Sequence, residues 1–199
     1  RGVHAMPVQQ DNAKNTPPAK CATCRQPLLS PVVCDNCHRL YPADGRNHFE
    51  LLSLTPTFDL DLAVVRRMYL QVSRGIHPDY HGTGAEADMS LHLSAQLNEA
   101  YRVLSDPVLR AEYLLEVHGG QAAIGDRSVL DGILGDTLEL REEIAAAKAG
   151  GDSTTLQACH TDIRRRYGTI LDQIGALARQ LPGDDQLRLQ LRATLNSIK

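Results

Sequence analysis

The fold is decided by Ile76-His77-Pro78-Asp79-Tyr80, a short turn between two segments that have the apolar spacing of helices. Before the turn, apolar side chains recur at steps of three and four residues, which predicts a helix from about Asp59 to Gly75. After it, the same spacing predicts a second helix, from about Met89 to Leu104. Pro78 and the glycines that follow it interrupt helical geometry between the two. We therefore expect an antiparallel helical hairpin with the turn exposed at its tip.

The helix before the turn carries basic side chains on its outer face. Arg67, Gln71 and Arg74 lie at helical spacing, and Arg66 stands beside them. Taken alone, these side chains are typical of a solvated helix surface, because surface helices are normally charged. We call Arg66, Arg67 and Arg74 the basic strip. Because the strip leads directly into an exposed turn, a contact surface for an acidic partner is the favoured interpretation.

The turn and the basic strip together resemble the J-domain proteins, which are co-chaperones of DnaK/HscA-type ATPase chaperones and whose defining turn is His-Pro-Asp. Asn98-Glu99-Ala100-Tyr101 and Leu104 resemble that family's pattern after the turn. Pro107, Arg110-Ala111 and Tyr113-Leu114-Leu115 resemble its HscB/Jac branch. In the family, the basic helix docks on the chaperone and the turn triggers ATP hydrolysis. The resemblance implies these chaperone-binding roles for six residues: Arg66, Arg67, Arg74, His77, Pro78 and Asp79.

Length and composition favour an all-α protein. A chain of 199 residues has room for one or two helical domains with cores of their own. Alternating runs of Val, Ile and Thr are nearly absent, whereas Leu, Ala, Arg and Glu at helical spacing dominate. The chain has no Trp and few other aromatic residues, so its core is expected to consist mostly of Leu, Ile, Val and Ala.

The charge balance and the hydropathy argue against two classes of partner. The formal net charge is -3 and the pI is near 6.2, which argues against a protein held on nucleic acid mainly by phosphate contacts. No apolar run approaches the ~20 residues required to span a bilayer, and no signal-peptide core is apparent. We expect a soluble intracellular protein, cytoplasmic in a bacterium or in the mitochondrial matrix of a eukaryote.

Four of the five cysteines form two Cys-x-x-Cys pairs, Cys21 with Cys24 and Cys34 with Cys37. In an intracellular chain this spacing indicates a metal site rather than disulfides. Each pair can form a tight turn that presents two thiolates, which together suit tetrahedral zinc. The segment is too short to bury a core, so the metal is expected to supply most of its folding free energy, ~10–16 kcal/mol in zinc-finger peptides. Redox thiols or iron are the alternatives. His38 is a poor ligand because it adjoins Cys37, and a surface imidazole is expected there instead.

A similar tetracysteine module precedes the J-domain in animal and some bacterial members of the HscB family, so the resemblance covers about residues 21–199. Within the J-domain, Asp106 and Pro107 predict the start of a further helix, which ends at the glycines 119 and 120. Four segments are therefore predicted: a flexible tail at 1–19, a tetracysteine zinc module at 20–44, a J-domain at 47–118 and a three-helix scaffold-binding domain at 128–199.

The clearest helix of the last domain carries apolar residues at alternating steps of four and three. Such a pattern predicts a helix packed between neighbours. His160 belongs to the pattern, and a buried or rim histidine is a more ordinary role for it than a metal ligand. Cys159 is expected to be a small packing residue. The apolar seam consists of Leu156, His160, Ile163, Tyr167, Ile170, Ile174, Leu177 and Leu181.

The preceding helix, predicted from about Ser128 to Ala149, has two apolar stripes on different faces. One stripe, Ile133, Leu140, Ile144 and Ala147, is expected to face the core. The other, formed by Leu130, Leu134 and Leu138, is either additional packing or a partner site, because it is apolar and bordered by Glu139 and Glu142. Its sequence resembles the HscB segment that binds the iron–sulfur scaffold protein IscU, although Gly135 replaces a larger apolar residue. The scaffold-binding positions implied by the resemblance are Leu134, Leu138, Glu139, Glu142 and, on the last helix, Leu189.

These observations predict an all-α co-chaperone: a zinc knuckle, a J-domain hairpin and a carboxyl-terminal three-helix bundle. It is expected to bring an IscU-type scaffold to a DnaK/HscA-type chaperone and to stimulate that chaperone's ATPase. It is not expected to be an enzyme, since no nucleophile–base pair, phosphate-binding glycine loop or pair of catalytic carboxylates is apparent. Two alternatives remain open: a general J-protein for unfolded clients, and a zinc-dependent redox or nucleic-acid-binding module.

Overall fold

The computed structural model describes residues 20–120 and 128–198. The predicted tail at 1–19 and most of the predicted linker after residue 120 lie outside these residues. The described chain contains helices and no strand, apart from two isolated antiparallel bridges, Lys20 with Pro27 and Val33 with Leu40. The all-α prediction is confirmed. The helices are α1 (His48–Leu51), α2 (Leu62–Gly75), α3 (Ala85–Ser105), α4 (Pro107–Val117), α5 (Ile133–Gly150), α6 (Ser153–Ala178) and α7 (Asp185–Ser197).

The described chain forms two compact units. The first consists of residues 20–55 and 62–102, and the second of residues 56–61, 103–120 and 128–198. The tetracysteine module therefore belongs to the same unit as α2 and most of α3. Helix α4 belongs to the second unit, whereas the family pattern assigns it to the J-domain, so the predicted domain boundaries stay a prediction.

Helices α2 and α3 form the predicted antiparallel hairpin. Near the start of the hairpin, the Tyr69 hydroxyl donates to Asn98 Oδ1 at 2.9 Å, and its ring stacks on Tyr101 with centroids 4.4 Å apart. Near the tip, the Ser90 hydroxyl donates to the carbonyl of Ile76. The contact partners of later residues in or directly after α2 lie earlier in α3, so the two helices run antiparallel. The core between the helices is apolar and buried: Val65, Val72, Ile76, Leu93, Leu97 and Ala100.

The second unit is organised around α6, which packs against α4, α5 and α7. Asp106 caps α4 as predicted, its carboxylate accepting from the amides of Val108 and Leu109. A buried ion pair joins Arg192 of α7 to Glu112 of α4 at 3.0 Å. The fully buried apolar side chains of this unit come mostly from α4, α6 and α7: Leu104, Leu114, Leu115, Ile174, Leu191 and Leu195.

The predicted seam of α6 is wrong over its amino-terminal half. Ile174 is fully buried, but Ile163 and Tyr167 are 41% and 48% exposed and His160 is exposed. The reason is length: α6 has 26 residues whereas α7 has 13. At ~1.5 Å per residue, α7 covers only about half of α6, so the remaining half is packed from fewer sides.

Helix α5 begins later than predicted, at Ile133 rather than near Ser128. Gly132 adopts a left-handed backbone with φ 83°, which ends the preceding non-helical segment. That segment is tied to the end of α7 instead, because the Leu130 amide donates to the Ser197 hydroxyl at 2.9 Å. Within residues 20–120 and 128–198, no helix is long and apolar enough to cross a membrane.

Candidate metal centre and docking surfaces

The four predicted ligands come together at one point of the first unit. The sulfurs of Cys21, Cys24, Cys34 and Cys37 all lie within 4.8 Å of one another. Two of these distances are 3.6 Å, between Cys21 and Cys37, and 3.5 Å, between Cys24 and Cys34. A tetrahedron of sulfurs at the usual zinc distance of ~2.3 Å has edges of about 3.8 Å. The cluster therefore has the size that a tetrahedral metal ion requires.

Both knuckles adopt the same backbone path. The residue after each second cysteine, Arg25 or His38, has a left-handed backbone, with φ 62° and 57°. Its amide donates to the carbonyl of the first cysteine of its pair, at 2.9 Å in both knuckles. Non-glycine residues rarely take this conformation, and it costs about 1 kcal/mol or more. Two such residues in equivalent places indicate that the backbone is shaped to aim four sulfurs at a common ligand.

The thiols differ in how readily they ionise. The amide of Cys24, with the Tyr41 hydroxyl 3.3 Å from the sulfur, lowers the pKa of Cys21 to about 5. The Arg39 amide acts in the same direction on Cys37, but burial and the other three thiols outweigh it and raise the pKa of Cys37 to about 12. Sulfurs this close cannot all become thiolates unless a cation offsets their mutual repulsion. The cluster can therefore hold a metal ion, which would supply that charge.

The tetracysteine module buries more than its four cysteines. Val33, which is fully buried, packs against α2 where Gly75 leaves room. A Cβ atom at Gly75 would lie 3.0 Å from both methyl carbons of Val33. The expectation that so short a segment buries no core is therefore wrong, because the module uses the surface of α2 as the other side of its core.

The His-Pro-Asp turn is exposed and is held largely by its own atoms. His77 caps a single 3-10 turn, Pro78–Tyr80, by accepting from the Asp79 amide through Nδ1 at 3.3 Å. The same nitrogen lies 3.4 Å from Asp79 Oδ2. Behind the turn, buried His81 makes a 3.0 Å hydrogen bond through Nε2 to the carbonyl of Gly75. The turn is thus fixed in shape while His77 and Asp79 remain open to a partner.

The basic strip lines an open groove of about 670 Å³. Leu70, 40% exposed, provides an apolar patch within it. The opposite wall comes from the tetracysteine module, through Asp35 and His38. We call this cavity the basic groove. Its lining residues are Asp35, His38, Ala63, Arg66, Arg67, Leu70, Gln71, Arg74 and Gly75.

The sequence analysis missed the contact between His38 and Tyr80. Their rings stack in parallel, with centroids 4.3 Å apart and planes 2° apart. The expectation of a surface imidazole at His38 is therefore incomplete, since the ring is half-buried. The only sequence signal for this contact was that each residue directly follows a functional one, Cys37 or Asp79.

The second apolar stripe of α5 is exposed. Leu134 and Leu138 are 68% and 61% exposed, and Glu139 and Glu142 are exposed beside them. The core-facing stripe of the same helix is half-buried at Leu140 and buried at Ala147. The helix therefore packs against the bundle with that side alone. We call Leu134, Leu138, Glu139 and Glu142 the leucine face. Leu189, the remaining predicted scaffold contact, is exposed on α7.

Comparison with known proteins places these features in a family. Residues 47–113 match the DnaJ domain. The chain is 34% identical over 149 residues to a co-chaperone HscB homologue of Vibrio cholerae, covering 71% of this chain and 87% of that protein. It is 33% identical over 138 residues to a co-chaperone HscB homologue of Pseudoalteromonas atlantica, covering 67% of this chain and 79% of that protein.

The chain belongs to the HscB co-chaperone family. The crystal structure of the human co-chaperone HscB shares the fold, with a TM-score of 0.71 and 23% identity over 90% of this chain and 91% of that one. Chaperone HscB from Vibrio cholerae has a TM-score of 0.63 and 28% identity over 76% of this chain and 88% of that one. HscB proteins are named co-chaperones, a non-enzymatic class, so the prediction that this chain is not an enzyme is confirmed.

Proposed function

We propose that this HscB-family protein brings an IscU-type iron–sulfur scaffold to a DnaK/HscA-type chaperone and stimulates that chaperone's ATPase. The observation that carries the proposal is the exposed His77-Pro78-Asp79 turn, which stands beside the basic groove at the tip of the α2–α3 hairpin. The turn is held by its own His77 cap and by the stack of His38 on Tyr80, and neither of these contacts covers the side chains of His77 and Asp79. Its imidazole and carboxylate are therefore available to a partner protein. Action in the bacterial cytoplasm, or in the mitochondrial matrix of a eukaryote, belongs to the same proposal.

The chaperone half of the proposal rests on charge and position. The three arginines of the basic strip are exposed along one face of α2, and Leu70 lies between them. An acidic partner surface gains from such a strip through faster association and correct orientation. Arg66, Arg67, Arg74, His77, Pro78 and Asp79 are therefore assigned to chaperone binding.

The scaffold half rests on apolar surface that the fold does not use. Two leucines more than 60% exposed on one helix face, bordered by carboxylates, have the character of an interface anchor with a polar rim. The resemblance to the scaffold-binding segment of HscB proteins supplies the identity of the partner. Leu134, Leu138, Glu139, Glu142 and Leu189 are therefore assigned to scaffold binding.

We assign zinc to the four-cysteine cluster as a structural metal. Four thiolates in a closed tetrahedral set leave no open position for a substrate, which is the pattern of a structural site. Elemental analysis of protein purified under reducing conditions should find one zinc per chain. Cys34→Ser should lose the metal and the local knuckle while the helical circular dichroism remains nearly intact. Four freely titratable thiols without a chelator would contradict a bound metal.

The test of the whole proposal is steady-state ATP hydrolysis by the purified chaperone, measured with scaffold alone, with this chain alone and with both. Stimulation by this chain, increased further when the scaffold is present, is the expected result. Absence of any stimulation at concentrations that saturate binding would overturn the proposal.

Two measurements separate the proposal from its rivals. A general J-protein would stimulate the chaperone equally with an unfolded client in place of the scaffold, and a pull-down from native extract would recover diverse clients. A nucleic-acid-binding module would bind DNA or RNA in a manner that collapses with salt. Because of the leucine face, we expect the pull-down to recover a cluster scaffold and the protein to show no salt-sensitive binding of DNA or RNA.

A further inference from the structure

We propose that the second knuckle of the tetracysteine module is part of the chaperone-docking surface, where it forms one wall of the basic groove and holds the His-Pro-Asp turn through a ring stack. The occupant of the groove is an acidic segment of the DnaK/HscA-type chaperone. This inference rests on the proposed function, and it gives the module a role in partner binding beyond its own folding.

The wall is built by contacts between the knuckle and α2. Gln71 Nε2 donates to Asp35 Oδ2 at 3.4 Å, and both residues line the groove. Deeper in the same interface, Val33 fills the space that Gly75 leaves open. Arg39, which follows the knuckle, pairs with Glu86 of α3 at 3.5 Å. These contacts hold the knuckle against both helices of the hairpin, so the two walls of the groove keep a fixed position relative to each other.

The stack between His38 and Tyr80 connects the metal cluster to the turn. His38 directly follows Cys37 and holds a left-handed backbone, with its amide bonded to the carbonyl of Cys34, so the fold of the knuckle determines where its ring points. Tyr80 directly follows Asp79. Its side chain is 60% exposed, and its ring stacks on the imidazole of His38. A parallel stack at 4.3 Å restrains the end of the turn on the side opposite its own His77 cap. His38 is thus a positioning residue for the turn.

The charges of the groove select its occupant. Three arginines and one aspartate line it, so its net character is positive. Carboxylates of the chaperone segment would pair with the basic strip, and an apolar side chain would lie on Leu70. Asp35 is the single carboxylate in the lining and would repel that segment. If the knuckle were only a structural support, Asp35 would not face the partner and no such repulsion would be expected.

The first test uses the full chain with its metal and measures the concentration that gives half-maximal stimulation of the chaperone. His38→Asn keeps a residue that tolerates the left-handed backbone but removes the stacking ring. We expect this concentration to rise about 2- to 10-fold, with scaffold binding and zinc content unchanged. Tyr80→Ala, which removes the other ring of the stack and leaves the left-handed backbone of the knuckle untouched, should reproduce the loss. His92→Ala is the matched control, because His92 is exposed on α3 and does not line the groove.

The second test asks whether the wall touches the partner. Asp35→Asn removes the opposing charge while an amide can still bond Gln71, so half-maximal stimulation should require roughly 1.5- to 5-fold less protein at low salt. Unchanged or weaker docking in this variant would overturn the proposal. If His38→Asn lost its metal, the Asp35→Asn result alone would decide. Unaltered docking in either variant, with stimulation at saturation equal to that of wild type, would overturn this inference while leaving the proposed function standing.

Discussion

The basic groove and the leucine face are both exposed, but different physical means build them. The groove depends on backbone detail: two left-handed residues, a proline turn, a histidine cap and the four-cysteine cluster bring distant residues together. The leucine face needs only an amphipathic helix with one side unused, because α5 buries little beyond Ala147. A surface assembled from many constraints is therefore expected to be sensitive to small changes, and a surface made by one helix face to be tolerant of them.

The forces at the two surfaces differ as well. Arginines act through charge, which water and salt weaken, whereas leucines act through apolar area, which salt affects little. Neither surface belongs to a core. Each can therefore be altered without unfolding the protein, and the two activities can be separated.

The largest expected effect is the loss of chaperone stimulation in Asp79→Asn. Replacing a charged partner at an interface costs ~2–5 kcal/mol, so stimulation at subsaturating protein should fall about tenfold or more. The free energy of unfolding should change within ~0.5 kcal/mol, because Asp79 is exposed. Steady-state ATP hydrolysis and thermal melting measure the two quantities.

His77→Gln is the companion variant, and scaffold affinity is the control for both. It should remain at the wild-type value, since the leucine face is untouched. If either turn variant stimulates as well as wild type at equal occupancy, the turn does not act in stimulation.

The next effect in size is the loss of scaffold affinity in Leu138→Ala. Removing an exposed anchor should cost more than ~1 kcal/mol of binding, which is about 5-fold or more in Kd, with the melting temperature nearly unchanged. Titration calorimetry with the purified scaffold measures the affinity.

Leu191→Ala is the matched control for that variant, because Leu191 is fully buried. It should lose about 2–5 kcal/mol of unfolding free energy. A Leu138→Ala protein that lost similar stability but kept its affinity would show that this leucine belongs to the packing.

A smaller effect is the difference in salt sensitivity between the two surfaces. Raising NaCl from about 50 to 300 mM should weaken chaperone docking roughly 3- to 10-fold, because the shorter Debye length screens the attraction between the basic strip and an acidic partner surface. Scaffold binding should change less than about 2-fold over the same range, since apolar contact dominates it. Equal salt dependence in the two binding assays would contradict the assignment of different forces.

The smallest expected effect is a gain at the leucine face in Gly135→Leu. A Cβ atom at Gly135 meets nothing within 4 Å, so a larger side chain fits. Helix propensity should raise stability by up to ~1 kcal/mol, and added apolar area should tighten scaffold binding about 2- to 5-fold.

Gly168→Leu on α6 is the control for this gain, because its Cβ also meets nothing within 4 Å. It should raise stability alone. A weaker scaffold affinity in Gly135→Leu would mean that the scaffold approaches the helix backbone closely at that point.

Sequence reasoning predicted local features well and packing less well. The helix start at Asp106 and the four sulfurs of the cluster are confirmed, because capping and metal ligation require particular residue types at fixed spacing. The α6 seam failed at Ile163 and Tyr167, since periodicity shows which face is apolar but not how long the neighbouring helices are. The exposure of Leu134 and Leu138 was left open for the same reason.

The sequence by itself determined the hairpin, its turn and the four cysteines of the cluster, because each is specified by residues close together in the chain. Only the tertiary structure decided that the tetracysteine module walls the basic groove. Asp35 and Gln71 are 36 residues apart, and the contact between His38 and Tyr80 also joins separate elements. Such contacts follow from the fit of Val33 against Gly75, a match of shape that leaves no periodic pattern in the sequence.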